Sequence, residues 1–273
     1  MNHFDAQEKE APFFSIVIAS LNNFDYLRSC VDSINAQNFT SYEVLISDGG
    51  STDATHSIID PFHIRNLSWS KSSPDLGIYY ALNSALAEIK GQWVLVLGSD
   101  DKLCDPDSLK RAHIAIVQSN NHSNLLYSDL LIRGPQGLRL KKYPDFDKFC
   151  TNFSGAPFIH HQTAFVSRNA ICEFGSFDTR YRIHADYDLM LRMIIGKPAI
   201  KINDTFVEYN SSGYSSRIKN IIKSVNEVRE IRRKLGFPEF NLRLGLIYSR
   251  LLLRSMINFQ FLKNIIIRSA KIT

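Results

Sequence analysis

Short apolar runs alternate with helical patterns over the first hundred residues of this chain. β-type runs cover residues 13–19, 42–47, 66–69 and 93–97, and an amphipathic helical pattern over residues 78–89 precedes the last of them. Strands that alternate with helices form parallel sheets with right-handed crossovers. We therefore expect an α/β fold with a mainly parallel, Rossmann-like sheet whose strands end at one common edge.

Two adjacent acids follow the last of these runs. The run over residues 93–97 stops at Gly98, and Asp100 and Asp101 come two and three residues later. Open α/β sheets bind ligands at the carboxyl ends of their strands, where paired carboxylates repel each other unless a cation or hydrogen-bond donors hold them. Mg²⁺ or Mn²⁺ shared with substrate phosphates does so with few protein ligands. The alternative is a helix start, because acids favour a helix N-terminus and Asp105 follows closely.

Further polar residues are predicted at the same edge of the sheet. The residues that follow the first three strands are Asn22 and Asn23, Asp48, and Asp75. Each acid alone is more often a helix cap or a turn residue. Polar clusters at four successive strand ends together indicate a binding edge.

The pattern changes in the second part of the chain. Residues 125–133 and 138–143 flank a Gly-Pro-Gln-Gly turn and predict an antiparallel hairpin. A strand predicted over residues 158–166 would place the adjacent His160 and His161 on opposite faces. The remaining predicted elements are a helix over residues 187–195 and a strand over residues 199–209.

The composition is that of an ordinary globular chain. Of its 273 residues 44% are hydrophobic, which is enough for a sizeable core. The N-terminal residues lack the apolar stretch of a signal peptide, and no run is long enough to span a bilayer. The four cysteines have neither metal-ligand nor redox spacing, which fits reduced thiols in a cytosol. We therefore expect a cytoplasmic protein.

Basic residues are concentrated at the C-terminal end. The six Lys and Arg residues after residue 240 exceed the net charge of +5 of the whole chain. No nucleic-acid partner is expected, because a basic binding surface would lie on the folded domain. As one continuous helix, the tail would place Arg243, Arg250, Arg254 and Arg268 in one stripe. Such a helix lies on an anionic membrane surface or packs on the domain with solvated arginines, and both alternatives stay open.

The order of these motifs resembles the inverting, nucleotide-sugar-dependent glycosyltransferases of family 2, which have the GT-A fold. The resemblance runs from about Phe14 to Ser216. The matching residues are Asn22, Asp48–Asp53, Pro74–Tyr79, Ala81, Asn83, Asp100–Asp101, His161–Gln162, Asp186–Leu189 and Arg192. The segment 74–79 is similar to the subgroup that builds bacterial surface polysaccharides. That subgroup often has Asp where this chain has Tyr80, and Asn or a basic residue where it has Ser84, so substrate details there stay open.

The resemblance implies a nucleotide pocket at the edge of the sheet. Asp48 would read the edge of the base, usually uracil, and Asp100 would face the ribose or the donor sugar. Asp101 would bind the Mn²⁺ or Mg²⁺ that bridges the diphosphate. The implied nucleotide-binding residues are Ala19, Ser20, Asn22, Asp48, Asp75 and Asp100.

The resemblance also implies that Asp186 is the catalytic base. In transfer with inversion, an acceptor hydroxyl attacks the anomeric carbon, the diphosphate leaves from the opposite face, and a carboxylate takes the proton. The alternative for Asp186 is a helix N-cap. His161 would contact the acceptor or the donor, with a structural role as the alternative. Asp188 and Arg192 are expected to be structural, with a diphosphate contact as the alternative for Arg192.

These expectations divide the chain into three parts. They are an N-terminal tail over residues 1–12, a GT-A catalytic domain over residues 13–216, and a helical, basic, amphipathic extension over residues 217–273. Within the domain, residues 13–101 form a nucleotide-binding half and residues 102–216 an acceptor half.

The expected function is transfer of a sugar from a nucleotide diphosphate donor, a UDP-sugar, to a carbohydrate or lipid-linked acceptor in polysaccharide biosynthesis. We expect the protein in the cytoplasm, associated peripherally with the inner face of the cell membrane. The alternative is a non-catalytic, nucleotide-sugar-binding module of the same fold. A dinucleotide-dependent oxidoreductase ranks lower, because the first strand is not followed by Gly-x-Gly-x-x-Gly.

Overall fold

The computed structural model describes residues 11–119, 123–211 and 221–240, together with five isolated residues between 242 and 249. Within these residues nine strands form one sheet. The strands are β1 (Phe14–Ser20), β2 (Tyr42–Asp48), β3 (Leu67–Ser72), β4 (Trp93–Gly98), β5 (Lys102–Leu103), β6 (Leu125–Gly134), β7 (Gly137–Lys141), β8 (Ala164–Ser167) and β9 (Ile200–Asn210).

Seven α-helices and two short 3₁₀ helices accompany the described part of the sheet. The 3₁₀ helices cover Ala54–Ser57 and His161–Thr163. The α-helices are α1 (Phe24–Asn35), α2 (Ile78–Leu86), α3 (Ser108–Gln118), α4 (Phe146–Asn152), α5 (Arg168–Phe174), α6 (Ala185–Met193) and α7 (Ile221–Lys234).

The first half of the sheet is parallel, as the sequence predicts. Its order is β3-β2-β1-β4, and every neighbouring pair runs in the same direction. In this register Ser20 pairs with Asp48, and Ala19 pairs with Gly98. The ends of β1, β2 and β4 therefore lie side by side, which confirms the predicted common edge.

The second half of the sheet is mixed. Strand β8 runs antiparallel to both β4 and β6, the predicted hairpin forms between β6 and β7, and β9 runs parallel to β6. The short β5 pairs with β9 and closes the order at the far side. The nucleotide-binding half and the acceptor half predicted from the sequence thus share one continuous sheet through the pairing of β4 with β8.

The strand predicted over residues 158–166 was wrong in its first part. Thr163 donates both its backbone N–H (3.0 Å) and its hydroxyl (2.9 Å) to the carbonyl of His160, which closes a 3₁₀ turn. Strand β8 begins only at Ala164. His160 and His161 therefore face different partners because the chain turns, not because they alternate along a strand.

Apolar side chains cover both faces of the sheet, as expected for strands buried on both sides. Along β1, Ile16 and Ile18 pack with α1 and α3 on one face, and Val17 packs with α2 and α6 on the other. The second face also receives Val228 and Ile231 of α7. The first helix of the predicted extension therefore packs on the domain.

The arginine stripe predicted for the tail, Arg243 to Arg268, lies outside the described residues. Among the residues that are described, no helix combines the length and the hydropathy needed to cross a bilayer.

Candidate active site

Asp48 ends β2 in a buried position, with 1% of its surface exposed. Its carboxylate accepts hydrogen bonds from the backbone N–H of Ser51 (3.0 Å), from the Ser51 hydroxyl and from the Ser72 hydroxyl (2.5 Å). These neutral donors fix the carboxylate between the ends of two strands. Asp48 is therefore a rigid acceptor at the edge where the sequence predicts the base of a nucleotide.

Asn22 connects the loop after β1 to the loop after β2. Its backbone has φ = 48°, a left-handed conformation that Asn tolerates better than most residues. Its side-chain oxygen accepts from the backbone N–H of Thr52 (2.8 Å), and its own N–H donates to the Ser51 hydroxyl (2.8 Å). The side chain of Asn22 thus supports the loop that holds Asp48.

Ala19 and Ser20 form the end of β1 beside this loop. The backbone carbonyl of Ser20 accepts the N–H of Gly49 at 2.9 Å. The Ser20 hydroxyl is buried and finds no hydrogen-bond partner among the described residues. Ser20 therefore contacts the loop through its backbone.

Asp75 reaches the same edge because two glycines make room for it. A Cβ atom on Gly49 would lie 3.0 Å from Asp75 Oδ2, and one on Gly50 would lie 2.8 Å from the backbone nitrogen of Pro74. The Asp75 side chain is exposed, and its Oδ1 accepts the N–H of Gly77 at 2.8 Å. The structure thus brings Asp75 next to the loop after Asp48.

Asp100 and Asp101 do not start a helix, since β5 follows them directly. Asp101 is 1% exposed and accepts the backbone N–H groups of Gly98 (3.2 Å) and Asn210 (2.9 Å), so it connects the ends of β4 and β9. Burial and the charge of Asp100 raise the pKa of Asp101 to about 7, and burial also raises the pKa of Asp100. Within the described chain, neither carboxylate forms an ion pair with Lys or Arg.

This pair of acids fits a divalent cation that is shared with phosphate oxygens. The described residues contain no group of three His, Cys, Asp or Glu side chains that could hold a metal ion alone. A Mg²⁺ ion bound through substrate phosphates needs only one or two carboxylates. Such a cation would remove the repulsion between Asp100 and Asp101. Asp100 is the more exposed of the two, and the metal-binding role of Asp101 stays a prediction.

Asp186 lies in the first turn of α6, one residue after the helix begins. The N-cap position belongs to His184, so the N-cap alternative for Asp186 was wrong. His161 Nδ1 donates to Asp186 Oδ2 at 3.1 Å, and the Tyr79 hydroxyl lies 3.4 Å from Asp186 Oδ1. Burial favours the neutral acid, but the hydrogen bond and charge of His161 outweigh it and hold the pKa of Asp186 below its usual value. Asp186 is therefore an ionised carboxylate with a hydrogen-bonded imidazole beside it.

His161 stands between the two groups of acids. It bonds Asp186, and its charge also acts on Asp100 and Asp101. His160 instead shares a hydrogen bond of 2.5 Å with the Tyr143 hydroxyl. Burial lowers the pKa of His160 to about 3, so this ring is neutral. Of the two histidines, His161 is the one at the candidate site.

Asp188 and Arg192 are structural, as expected. Asp188 is fully buried and accepts from Arg192 Nε at 2.8 Å. The guanidinium of Arg192 also donates to the carbonyls of Gly175 (2.9 Å) and Ser176 (2.6 Å). These contacts hold α6 against the end of α5.

Two contributors to the site were not found from the sequence. Tyr79 belongs to a recognised motif, yet only the fold shows that its hydroxyl donates to the carbonyl of Ile183 (2.9 Å) beside Asp186. Glu227 of α7 accepts backbone N–H groups from the same loop. A glutamate in a charged helical pattern gives no local signal of such a contact.

Residues 15–173 match the family model described as glycosyl transferase family 2. The chain belongs to this glycosyltransferase family. A relative from Mycobacterium tuberculosis, a PGL/p-HBAD biosynthesis glycosyltransferase, is 34% identical over 184 residues, which cover 67% of this chain and 70% of the relative. The hyaluronan synthase of Pasteurella multocida is 29% identical over 197 residues, covering 69% of this chain but 19% of that protein.

Solved structures with the same architecture support the fold of this family 2 chain. TarS 1–349 from S. aureus in complex with UDP has a TM-score of 0.60 at 18% identity, over 80% of this chain and 64% of TarS. The mannosyltransferase PcManGT from Pyrobaculum calidifontis, in complex with GDP-Man and Mn²⁺, has a TM-score of 0.59 at 19% identity, over 82% of this chain and 64% of PcManGT. The chain thus spans just under two thirds of these solved chains. The likeness confirms the predicted GT-A fold.

Proposed function

We propose that this chain transfers a sugar from a nucleotide diphosphate donor to an acceptor hydroxyl with inversion at the anomeric carbon. The observation that carries the proposal is the ionised Asp186, paired with His161, whose charge also acts on the two acids that follow β4. A carboxylate held below its usual pKa is available at neutral pH to accept a proton.

In the proposed reaction, Asp186 and the two acids after β4 have different roles. The acceptor oxygen forms the new bond to the anomeric carbon as the bond from that carbon to the diphosphate oxygen breaks. Asp186 takes the proton of the acceptor hydroxyl, and His161 orients the carboxylate that receives it. Asp101 would hold a Mn²⁺ or Mg²⁺ ion, which supplies positive charge for the leaving diphosphate, and Asp100 would face the ribose or the donor sugar.

We infer that the donor is a UDP-sugar, a hexose or an N-acetylhexosamine derivative. TarS has been solved with UDP and with UDP-GlcNAc, and it shares the fold of this chain. Asp48 has the rigid, buried placement that reading the edge of a base requires. The PcManGT complex holds GDP-Man, so guanine is the competing base.

The acceptor we propose is a carbohydrate or lipid-linked molecule in polysaccharide biosynthesis, used in the cytoplasm at the inner face of the membrane. Support comes from relatives named for PGL/p-HBAD biosynthesis and for hyaluronan synthesis. The particular substrates of those relatives are not assigned to this chain.

The proposal is tested by binding and turnover together. Nucleotide sugars are screened by thermal shift with and without Mn²⁺, since a bound donor raises the melting temperature. Turnover is then measured for Asp186→Asn, which should lose roughly 10²-fold or more in kcat and keep donor binding. Asp101→Ala should weaken metal-dependent donor binding. Asp32→Asn, an exposed acid of α1, is the matched control and should behave as the parent protein.

The outcomes separate the alternatives. No shift with any nucleotide sugar or free nucleotide contradicts the proposed donor. Donor binding without turnover of any acceptor supports the non-catalytic module. Unchanged turnover in both variants contradicts the assigned site.

A further inference from the structure

Glu227 lies on α7, the helix that follows the catalytic domain, and its carboxylate points into the loop that precedes α6. Its side chain is buried, with 7% of the residue exposed. Oε1 accepts the backbone N–H of Arg182 (3.0 Å), and Oε2 accepts those of Ile183 (2.9 Å) and His184 (3.0 Å). One carboxylate therefore satisfies three consecutive backbone donors of this loop.

These three donors stand directly before the helix that carries Asp186. The N-cap side chain of α6, His184, makes no capping hydrogen bond to the helix. Its ring instead shares a hydrogen bond of 2.6 Å with the Ser224 hydroxyl, a second contact from α7. The loop is thus held by α7 through both its backbone and its last side chain.

The other side of the loop is held by α2. The Tyr79 hydroxyl donates to the carbonyl of Ile183 at 2.9 Å and lies 3.4 Å from Asp186 Oδ1. Glu227 and Tyr79 thus hold opposite polar groups of one residue, its N–H and its carbonyl. These contacts of Glu227 and Tyr79 form a clamp on Ile183. Because Asp186 follows only three residues later, the clamp helps to fix the backbone from which the Asp186 side chain projects.

The close partners of the Glu227 carboxylate are the three backbone N–H groups of loop 182–184. Its neighbour Lys223, one turn earlier on α7, is half-exposed and forms only a long ion pair with Glu227 Oε1, at 4.0 Å. Hydrogen bonds from neutral N–H groups to an ionised acceptor are stronger than those between neutral groups. A buried carboxylate without a close cation is costly unless such donors surround it.

We propose that Glu227 is a positioning residue for the glycosyl transfer, and that it acts by holding loop 182–184 so that Asp186 meets the acceptor hydroxyl. The inference rests on the proposed function. Residues 15–173 are those that match the family model, so Glu227 lies outside them. A displacement of a reacting group by about 1 Å costs roughly 10²-fold in rate.

The decisive variant is Glu227→Gln, which keeps the shape but replaces one acceptor oxygen with a donor NH₂ group. We expect kcat per folded molecule to fall by roughly ten- to a hundredfold, while the donor KM stays within about twofold. Glu230→Gln, three residues later on α7 and exposed, is the matched control and should leave kcat unchanged. Glu227→Asp keeps the charge on a shorter side chain. Its kcat should lie between that of Glu227→Gln and that of Glu230→Gln.

A merely structural role gives a different result. If α7 only stabilises the fold, Glu227→Gln lowers the melting temperature but not the kcat of the folded fraction, and the inference is then wrong. In the Asp186→Asn background, Glu227→Gln should cause no further loss, because it acts through Asp186. An additional loss of the same size would overturn the proposed route.

Amide hydrogen exchange separates this inference from the proposed function. In Glu227→Gln the amides of residues 182–184 should exchange faster, whereas in Glu230→Gln they should not. A parent protein that transfers no sugar contradicts the proposed function and, with it, the positioning role of Glu227 in that transfer. An active parent with unchanged exchange and unchanged kcat in Glu227→Gln contradicts only the inference.

Discussion

Two carboxyl groups that interact with His161, those of Asp101 and Asp186, have their proton affinities shifted in opposite directions. Burial and the charge of Asp100 raise the pKa of Asp101 to about 7. Asp186 is partly buried, and the hydrogen bond and charge of His161 help to lower its pKa. Environments that separate the pKa values of neighbouring acids assign them to different roles. Asp186 is thereby kept in the ionised form that a proton acceptor needs, and Asp101 is placed where a nearby positive charge would favour its ionised form.

His160 gives a prediction about pH at the scale of one residue. Three aromatic rings surround it, those of Tyr143, Phe158 and Tyr209, and burial lowers its folded pKa to about 3 from 6.5. Between these values the unfolded chain binds the proton and the folded chain does not, so stability falls as the pH falls. From pH 7 to pH 5 this residue should remove about 2 kcal/mol from the free energy of unfolding.

Urea denaturation at both pH values measures this effect. His160→Gln should show a smaller loss between pH 7 and pH 5 than the parent protein. His113→Gln serves as the control, since this histidine lies on α3 away from the site, and it should keep the loss of the parent. An equal loss in the parent protein and in His160→Gln would refute the assignment.

At the scale of elements, the common edge of the sheet depends on the close approach of two loops. The loop after β2 reaches the segment that precedes α2 only because Gly49 and Gly50 carry no Cβ. Gly50 also has φ = 82°, a conformation that side chains other than glycine rarely adopt. The pocket around Asp48 and the position of Asp75 are thus set by the same two residues.

Gly50→Ala should therefore weaken donor binding. The new Cβ would lie 2.8 Å from the backbone nitrogen of Pro74, so one of the two loops must move. We expect the donor dissociation constant to rise by roughly tenfold or more and stability to fall by about 1–3 kcal/mol. Calorimetric titration with the donor measures the first effect.

Gly196→Ala controls for backbone strain alone. Gly196 has φ = 76°, but a Cβ there meets no atom within 4 Å. This variant should lose stability through strain and keep the donor affinity of the parent. Equal donor affinities in the two glycine variants would contradict a role for the close approach.

The elements also show what the sequence can and cannot predict. The parallel strands and their edge were predictable because apolar runs stop abruptly at Asp48 and before Asp100. The turn at His161 was missed because Thr163 makes its two hydrogen bonds within a segment that looks β-like. The contacts of Glu227 were not predictable, since they join residues more than 40 positions apart.

At the scale of the whole molecule, α7 is joined to the domain by a buried cation. Arg232 is fully buried and donates to the carbonyls of Phe153 (3.0 Å) and Ala156 (3.2 Å), to that of Pro238 (2.5 Å) and to the Tyr187 hydroxyl (3.1 Å). Phe153 is the C-cap residue of α4, at the helix end where carbonyl groups carry partial negative charge. Four neutral acceptors thus surround the guanidinium in place of a carboxylate.

Arg232→Met should cost about 3 kcal/mol or more of unfolding free energy, because it leaves several buried acceptors without a donor. The adjacent Arg233 is exposed, and Arg233→Met should change stability by about 0.5 kcal/mol or less. Urea denaturation of the three proteins measures both values. A similar small loss in both variants would show that α7 is not held by Arg232.

The clamp on the loop before α6 has a consequence for the order in which the protein is made. Every nucleotide-pocket residue proposed here lies within the first 101 positions, and strands β1 to β4 can pair once those positions have been synthesised. Loop 182–184, which precedes the proposed catalytic base Asp186, can make its contact with Glu227 only after residue 227 has been synthesised. A growing chain therefore contains every residue proposed to hold the donor well before the loop that positions Asp186 is fixed.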